Sequence, residues 1–347
     1  MANTENINET EFPKKNPLSM QIDLAKFAPA TDEEKAQQEV MSESTTFFKD
    51  GMRKLLKNPL AVGSIIVLIL VIAAAVAGPM IVPYGYEEMI SVNGRRDKTA
   101  KNLGPFEWSK NEQKAIDSGE KLFPHILGTD EQCRDYFVRI LYGTRVSLFI
   151  GFFAAILVLV IGLIYGSISG YAGGKVDMVM QRIIEIIQSV PNLVVVTMLA
   201  LLLGQGISSI IIAIGLFAWT GMARQVRNMV LSYKERDFVL ASKTLGQSTW
   251  KIAVKHLLPN VSGVIVVQIM FDIPSMIMYE AVLSAINLGV KPPTSSLGTL
   301  INDGIASLQF YPFQLIIPAV VLSVLSLTFI FFGDGLRDAF DPRASED

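Results

Sequence analysis

Cysteine, histidine and charge are all scarce in this chain. Cys133 is the single cysteine among 347 residues, so an intrachain disulfide is excluded and no cysteine cluster exists to hold zinc. His125 and His256 stand far apart, with no second ligand type at metal spacing, and no metal site is expected. Only 18% of residues are charged and the formal net charge is −2. That balance gives no basic field for nucleic acid, and the basic residues lie beside apolar runs rather than in one patch. No G-x-x-x-x-G-K-[ST] loop occurs, so a Walker-type ATP site in this chain is excluded. The glycine-rich Gly170-Tyr171-Ala172-Gly173-Gly174 lacks that order and reads as a turn. Neither G-x-S-x-G nor H-E-x-x-H is present, and no Ser/His/Asp grouping suggests a nucleophile, so catalysis is not expected.

What the chain has in abundance is apolar sequence: half of its residues are hydrophobic and its mean hydropathy is positive. A bilayer core about 30 Å thick needs roughly 20 apolar residues per helix, because lipid offers no partner to an open backbone group. Ala61 to Val82, Val146 to Tyr171 and Phe313 to Phe332 each meet that length. The uncharged interval between Glu185 and Arg224 is too long for one helix, and Gly204-Gln205-Gly206 supplies turn chemistry near its middle. It reads as two spans. Val261 to Leu288, which contains Asp272, Pro274 and Glu280, reads as a less apolar, kinked fifth span, making six in all.

The rest of the chain divides around these spans. Residues 1–44 are acidic and Asn/Gln/Glu-rich without periodicity, the composition of a disordered tail. No apolar segment lies near the N-terminus, so a cleavable signal peptide is not expected. Residues 45–60 place Phe47, Phe48, Met52, Leu55 and Leu56 at helical spacing beside Lys49, Arg53, Lys54 and Lys57. That pattern fits an interfacial helix, or equally a positive flank to the first span. Residues 61–83 then form the first span, 84–141 an extracytoplasmic loop, 142–335 the core carrying spans two to six, and 336–347 a second tail.

Six spans put both termini on one side. Lys49 to Lys57, Lys175 and Arg182, Arg224 to Lys255, and Arg337 and Arg343 assign that side to the cytoplasm of a cell membrane. Arg139 and Arg145, beside the second span, run against this rule.

The topology leaves "RDFVLASKTLGQSTWKIAVKHLLPN", Arg236 to Asn260, as a cytoplasmic loop between spans four and five. Its first half patterns as a short helix with Phe238, Ala241 and Leu245 on one face, ended by Gly246. Ser248 is a natural N-cap for a second short helix carrying Trp250, Val254 and Leu257 and stopped at Pro259. Two short amphipathic helices joined at a glycine make a knob suited to docking a soluble partner.

At this point the loop resembles a known family. "ASKTLG", nine residues, then "HLLPN" is similar to the EAA loop of bacterial ABC importer permeases, whose helix fits a groove in the ATPase. Leu240 stands where that family has glutamate, with Ala241 and Ser242 following, and His256 stands at the usual branched aliphatic. Gly246, Leu258 and Pro259 are the firmest matches. "HILGTDEQCRDYFVRILYGTRVSLFIG", "GYAGGKVDMVMQRIIEIIQSVPNLV", "YEAVLSAINLGVKPPTSSLGTLI" and "FFGDGLRDAFDPR" resemble, in order, the second permease subunit of dipeptide and oligopeptide importers. Cys133 stands where that family usually has glycine, and the loop from Glu88 to Leu122 is longer than typical.

The resemblance implies an all-α type I ABC importer permease fold with a cytoplasmic coupling helix. It implies ATPase-coupling residues Leu240, Ala241, Ser242, Leu245, Gly246, Gln247, Ser248, Leu258 and Pro259. It also implies partners: a homologous permease completing a heterodimer, two ABC ATPase subunits that carry the ATP and Mg, an extracytoplasmic solute-binding protein, a peptide substrate and membrane lipid. The family extends to nickel, glutathione and opine permeases, so another solute stays open. An independent secondary transporter or channel is the rival class; the near absence of ionisable groups in spans one, two and six counts against it. Asp272 and Glu280, within the fifth span, are candidates for the translocation path or for structural carboxylates bonded to a neighbouring helix or loop.

Overall fold

The computed structural model describes residues 47–204, 206–252 and 258–340, so the 1–44 tail, Gln205, His256 and Arg343 lie outside the described residues. Helix α1 (Phe47–Lys57) leads into α2 (Pro59–Ile81), whose start is capped by Asn58: its side chain accepts from the Leu60 and Ala61 amides at 3.0 and 3.3 Å. Gly51 packs on Phe340, and Leu55 and Ala61 on Leu336 and Ala339, so the first two helices close against the chain's last one.

Residues 82–135 fold into a small polar cap. It contains a hairpin of β1 (Ser91–Val92) and β2 (Arg95–Arg96) and a helix, α3 (Lys110–Asp117). The hairpin turns at Asn93-Gly94, both at positive φ, the chemistry that matches the twist of antiparallel strands. Ile90, Ala100 and Cys133 make its small core with Leu103.

The bundle proper starts at α4 (Tyr136–Ala172), N-capped by Asp135, whose side chain accepts from the Val138 amide at 3.0 Å. This helix begins ten residues ahead of the apolar stretch, because its first turns pack polar residues under the cap rather than in lipid. Helices α5 (Gly174–Ser189) and α6 (Asn192–Leu203) follow, then α7 (Ile207–Lys234), the short α8 (Asp237–Thr244) and α9 (Thr249–Ile252). Helix α10 (Leu258–Ala285) returns to the cap end, where α11 (Leu297–Ser307) lies, and α12 (Phe313–Phe340) runs back.

Five of these helices are long and apolar enough to cross a membrane, or up to six if α5 and α6, bent by 82° at their junction, count as one crossing. The sequence reading places a turn in this interval at Gly204-Gln205-Gly206 and does not foresee the break ahead of Asn192. Pro191 is the cause: it lacks an N–H and disfavours helix at Val190, which takes an extended conformation. Pro274, by contrast, sits inside continuous α10.

The tightest seam joins α4 to α7. Gly162, Gly166 and Gly170 are spaced by one helical turn, and a Cβ at Gly166 would meet the Ala223 carbonyl at 2.4 Å. Small residues at this spacing let two backbones approach closely, which is how helices bind one another where lipid removes the hydrophobic drive. Ile150, Ala154, Ala155 and Val158 continue the buried face of α4 into the main core with Ile210, Ile214, Ile277 and Leu325.

Candidate functional site: the docking loop and the polar groups of the bundle

Helix α8 has a buried side and an exposed one. Val239 is fully buried and Ser242 nearly so, its hydroxyl donating to the Phe238 carbonyl at 2.8 Å, so this side seats the helix on the bundle. Phe238, Leu240, Ala241 and Leu245 are exposed, Leu245 to 80%. The helix ends as a two-bond reversal: the Gln247 amide donates to the Ser242 carbonyl at 3.2 Å and the Gly246 amide to the Lys243 carbonyl at 2.9 Å. Gly246 has φ +74°, the left-handed conformation in which glycine carries no Cβ penalty.

Ser248 then takes the N-cap position of α9, its carbonyl accepting from the Ile252 amide at 3.0 Å, and Ile252 is fully buried. Val254, His256 and Leu257 lie outside the described residues. The sequence reading stopped the second short helix at Pro259; instead α10 has already begun at Leu258. Pro259 falls in its first turn, where a missing N–H costs nothing because that donor has no helical partner.

The base beneath this loop is tied by charge. Arg227 of α7 grips Asp177 of α5 with a two-pronged contact, Nε to Oδ1 and Nη2 to Oδ2, both 2.5 Å. Ser169 of α4 donates to the same carboxylate. Lys234 donates to the Tyr171 carbonyl at 2.7 Å, and both Lys234 and Lys243 lie over the Tyr171 ring. Planar guanidinium forks on carboxylates are among the stronger polar contacts, so the ends of α4, α5 and α7 are held as one block under α8.

The two span carboxylates separate. Glu280 is fully buried and accepts from Ser284 at 2.7 Å, Ser296 at 2.5 Å and Ser147 at 3.2 Å, so it pins α10 to α4 and to the start of α11. Asp272 accepts from Gln268 at 3.0 Å on one oxygen, and its Oδ2 has no hydrogen-bond partner among the described residues. The structure does not bring these two groups together with the α8 loop.

Sequence reasoning passed over other polar groups. In the cap, His125 is fully buried between two carboxylates: Nδ1 is 2.8 Å from Asp135 Oδ2 and Nε2 is 2.8 Å from Glu112 Oε1. Burial works against the imidazolium, but the hydrogen bonds and charges of Asp135 and Glu112 outweigh it and hold the pKa up at about 9. Burial likewise opposes the Glu112 charge, and the contacts from His125 and Ser109 hold its carboxyl below the usual range. No local spacing signals this bridge, since its members come from α3, a loop and the N-cap of α4. Cys133 is buried at φ +60°, a backbone conformation that favours glycine, and burial pushes its thiol pKa up, away from reactivity.

Arg139 and Arg145, the exceptions to the charge rule, are both engaged. Arg139 contacts Asp130, and Arg145 donates to the backbone of α2.

Residues 162–346 match the family described as binding-protein-dependent transport system inner membrane component, and residues 46–105 match the N-terminal TM domain of oligopeptide transport permease C. The chain is 66% identical over 324 residues to the dipeptide transport system permease protein DppC of Lactococcus lactis subsp. cremoris, covering 89% of this chain and 94% of the relative. It is 39% identical over 317 residues to the oligopeptide transport system permease protein OppC of Bacillus subtilis, covering 91% and 96%. Among solved structures, an inward-facing form of the MetNI methionine ABC transporter matches 58% of this chain and 96% of its own, with 21% identity and a TM-score of 0.48.

A bundle of helices long and apolar enough to cross a membrane, with these family matches, is a multi-pass membrane permease subunit. The chain belongs to the binding-protein-dependent transport system inner membrane components.

Proposed function

We propose that this chain imports di- and oligopeptides as one half of a permease heterodimer, supplied from outside by a solute-binding protein and driven by two ABC ATPase subunits that hold the ATP and Mg. The relatives named above, called dipeptide and oligopeptide permeases, support the substrate class. The observation that carries the coupling role is the outward apolar face of α8, with Leu240 47% and Leu245 80% exposed beside the left-handed Gly246 turn. With Leu240 in place of an acid, the contact relies on shape and apolar packing, and Ala241, Ser242, Gln247, Ser248, Leu258 and Pro259 shape its frame. The loop and both termini face the cytoplasm on this reading, and catalysis is left to the ATPases.

Closure of the ATPases would push α8 as a rigid body. The Arg227–Asp177 fork and the glycine seam pass that displacement to α4, α5 and α7, where a flexible loop would absorb it. The test is the full complex in sealed vesicles with a binding protein and alanine peptides. Leu245→Cys should crosslink to an ATPase subunit and resist reagents added outside, and peptide uptake should require ATP. Labelling from outside, or uptake by this chain alone along an ion gradient, overturns the reading.

A further inference from the structure

At the Pro191 break the bundle holds a cavity of about 510 Å³, within the range of small-ligand sites. Thr220, on its wall, lies near the middle of α7, about 20 Å from either end at the helical rise per residue. Gln188, Asn192, Thr220 and Tyr279 supply its polar groups, Phe217 and Met276 apolar ones, and among the described residues no charged side chain lines it.

These polar groups pair across helices. Gln188 Nε2 donates to Thr220 Oγ1 at 3.1 Å, joining α5 to α7, and Asn192 Nδ2 donates to the Tyr279 hydroxyl, joining α6 to α10. Polar side chains at membrane depth are costly unless they face a cavity or a partner. A carboxamide has two N–H donors and an acceptor oxygen, and each amide here spends one N–H on its neighbour. The remaining donor and acceptor are the complement of a peptide C=O and N–H. Because the group is neutral, it offers no ion pair that would retain a charged side chain, as a path for varied peptides requires.

We propose that Gln188, Asn192, Thr220 and Tyr279 form a mid-membrane site that binds the main-chain amides of the passing peptide. The inference rests on the peptide-importer reading and assigns its path to this site rather than to Asp272 and Glu280. It is tested in the assembled complex in proteoliposomes, with radiolabelled di-, tri- and tetra-alanine. Gln188→Leu and Asn192→Leu should each lower maximal uptake about tenfold, the worth of one or two hydrogen bonds, while ATP hydrolysis stimulated by the binding protein persists. Gln188→Asn and Asn192→Gln should recover part of the uptake. Unchanged uptake in both leucine variants, or loss of uptake and ATP hydrolysis together, overturns the site. If a leucine variant does not assemble, maleimide labelling of Asn192→Cys decides: peptide should slow it, and an equal rate with and without peptide overturns the site. No ATP-driven uptake by the unsubstituted complex instead overturns the peptide-importer reading itself.

Discussion

The guanidinium of Arg145 donates to the backbone carbonyl of Ala75, through Nη2 at 2.9 Å and Nε at 3.3 Å. Ala75 lies four residues before Pro79, which sits inside α2 and has no N–H to return. The arginine therefore fills the position that a helical amide would occupy. This gives a structural reason for a basic residue that the charge pattern of the other helix flanks does not predict.

If that is its role, Arg145→Met should destabilise the protein in detergent by about 1–3 kcal/mol, the cost of an unsatisfied buried carbonyl. Adding Pro79→Ala should return most of the loss, since alanine restores the helix's own bond. Unfolding of the two single variants and the double variant, followed by intrinsic fluorescence, measures the coupling, and purely additive effects would sink the assignment.

The seam between α4 and α7 should be intolerant of volume. A Cβ at Gly166 meets the Ala223 carbonyl at 2.4 Å and Val226 Cβ at 2.8 Å, and neither α7 backbone nor a branched side chain can yield cheaply. Gly166→Val is expected to cost about 3 kcal/mol of stability. Gly221→Ala, on α7 with nothing within 4 Å, should be near neutral in the same assay.

Gly246 separates strain from space. Nothing lies within 4 Å of a Cβ there, so only its φ of +74° resists substitution. Asparagine visits that region and valine does not, so Gly246→Asn should keep ATP-driven uptake. Gly246→Val should lower it by several fold, at a local cost of roughly 1–2 kcal/mol, with membrane insertion unchanged.

The cap should loosen at both pH extremes. His125 has a folded pKa of about 9 against an ordinary 6.5, so its contribution is fully present below about 6.5 and lost as pH rises through 9. Glu112, held below its ordinary 4.5, contributes above that value and loses the contribution as pH falls through its lowered pKa. Limited proteolysis of the 82–135 segment should be slowest between these limits and accelerate past pH 9. His125→Gln, which removes the titrating charge and keeps an N–H donor for one of the two carboxylates, should remove the alkaline limb.

The membrane crossings were legible in the sequence because lipid imposes a simple rule: every long apolar run must become a helix that satisfies its own backbone. The turn at Gly246 was legible for a similarly local reason, since a glycine after a short amphipathic pattern marks a helix end. The Pro191 break was visible as a residue, but its 82° consequence was not, because a proline can also sit within a continuous helix, as Pro274 does.

Sequence by itself therefore determined the long apolar helices, the glycine turn at Gly246 and the family resemblance, all of which rest on local pattern. Tertiary structure alone decided the partners of the polar groups. Asp177 meets Arg227 across 50 positions, Arg145 meets Ala75 across 70, and Glu280 meets Ser147 across 133. A buried polar group takes whichever partner the packed helices bring within 3 Å or so, and hydropathy carries no record of that choice.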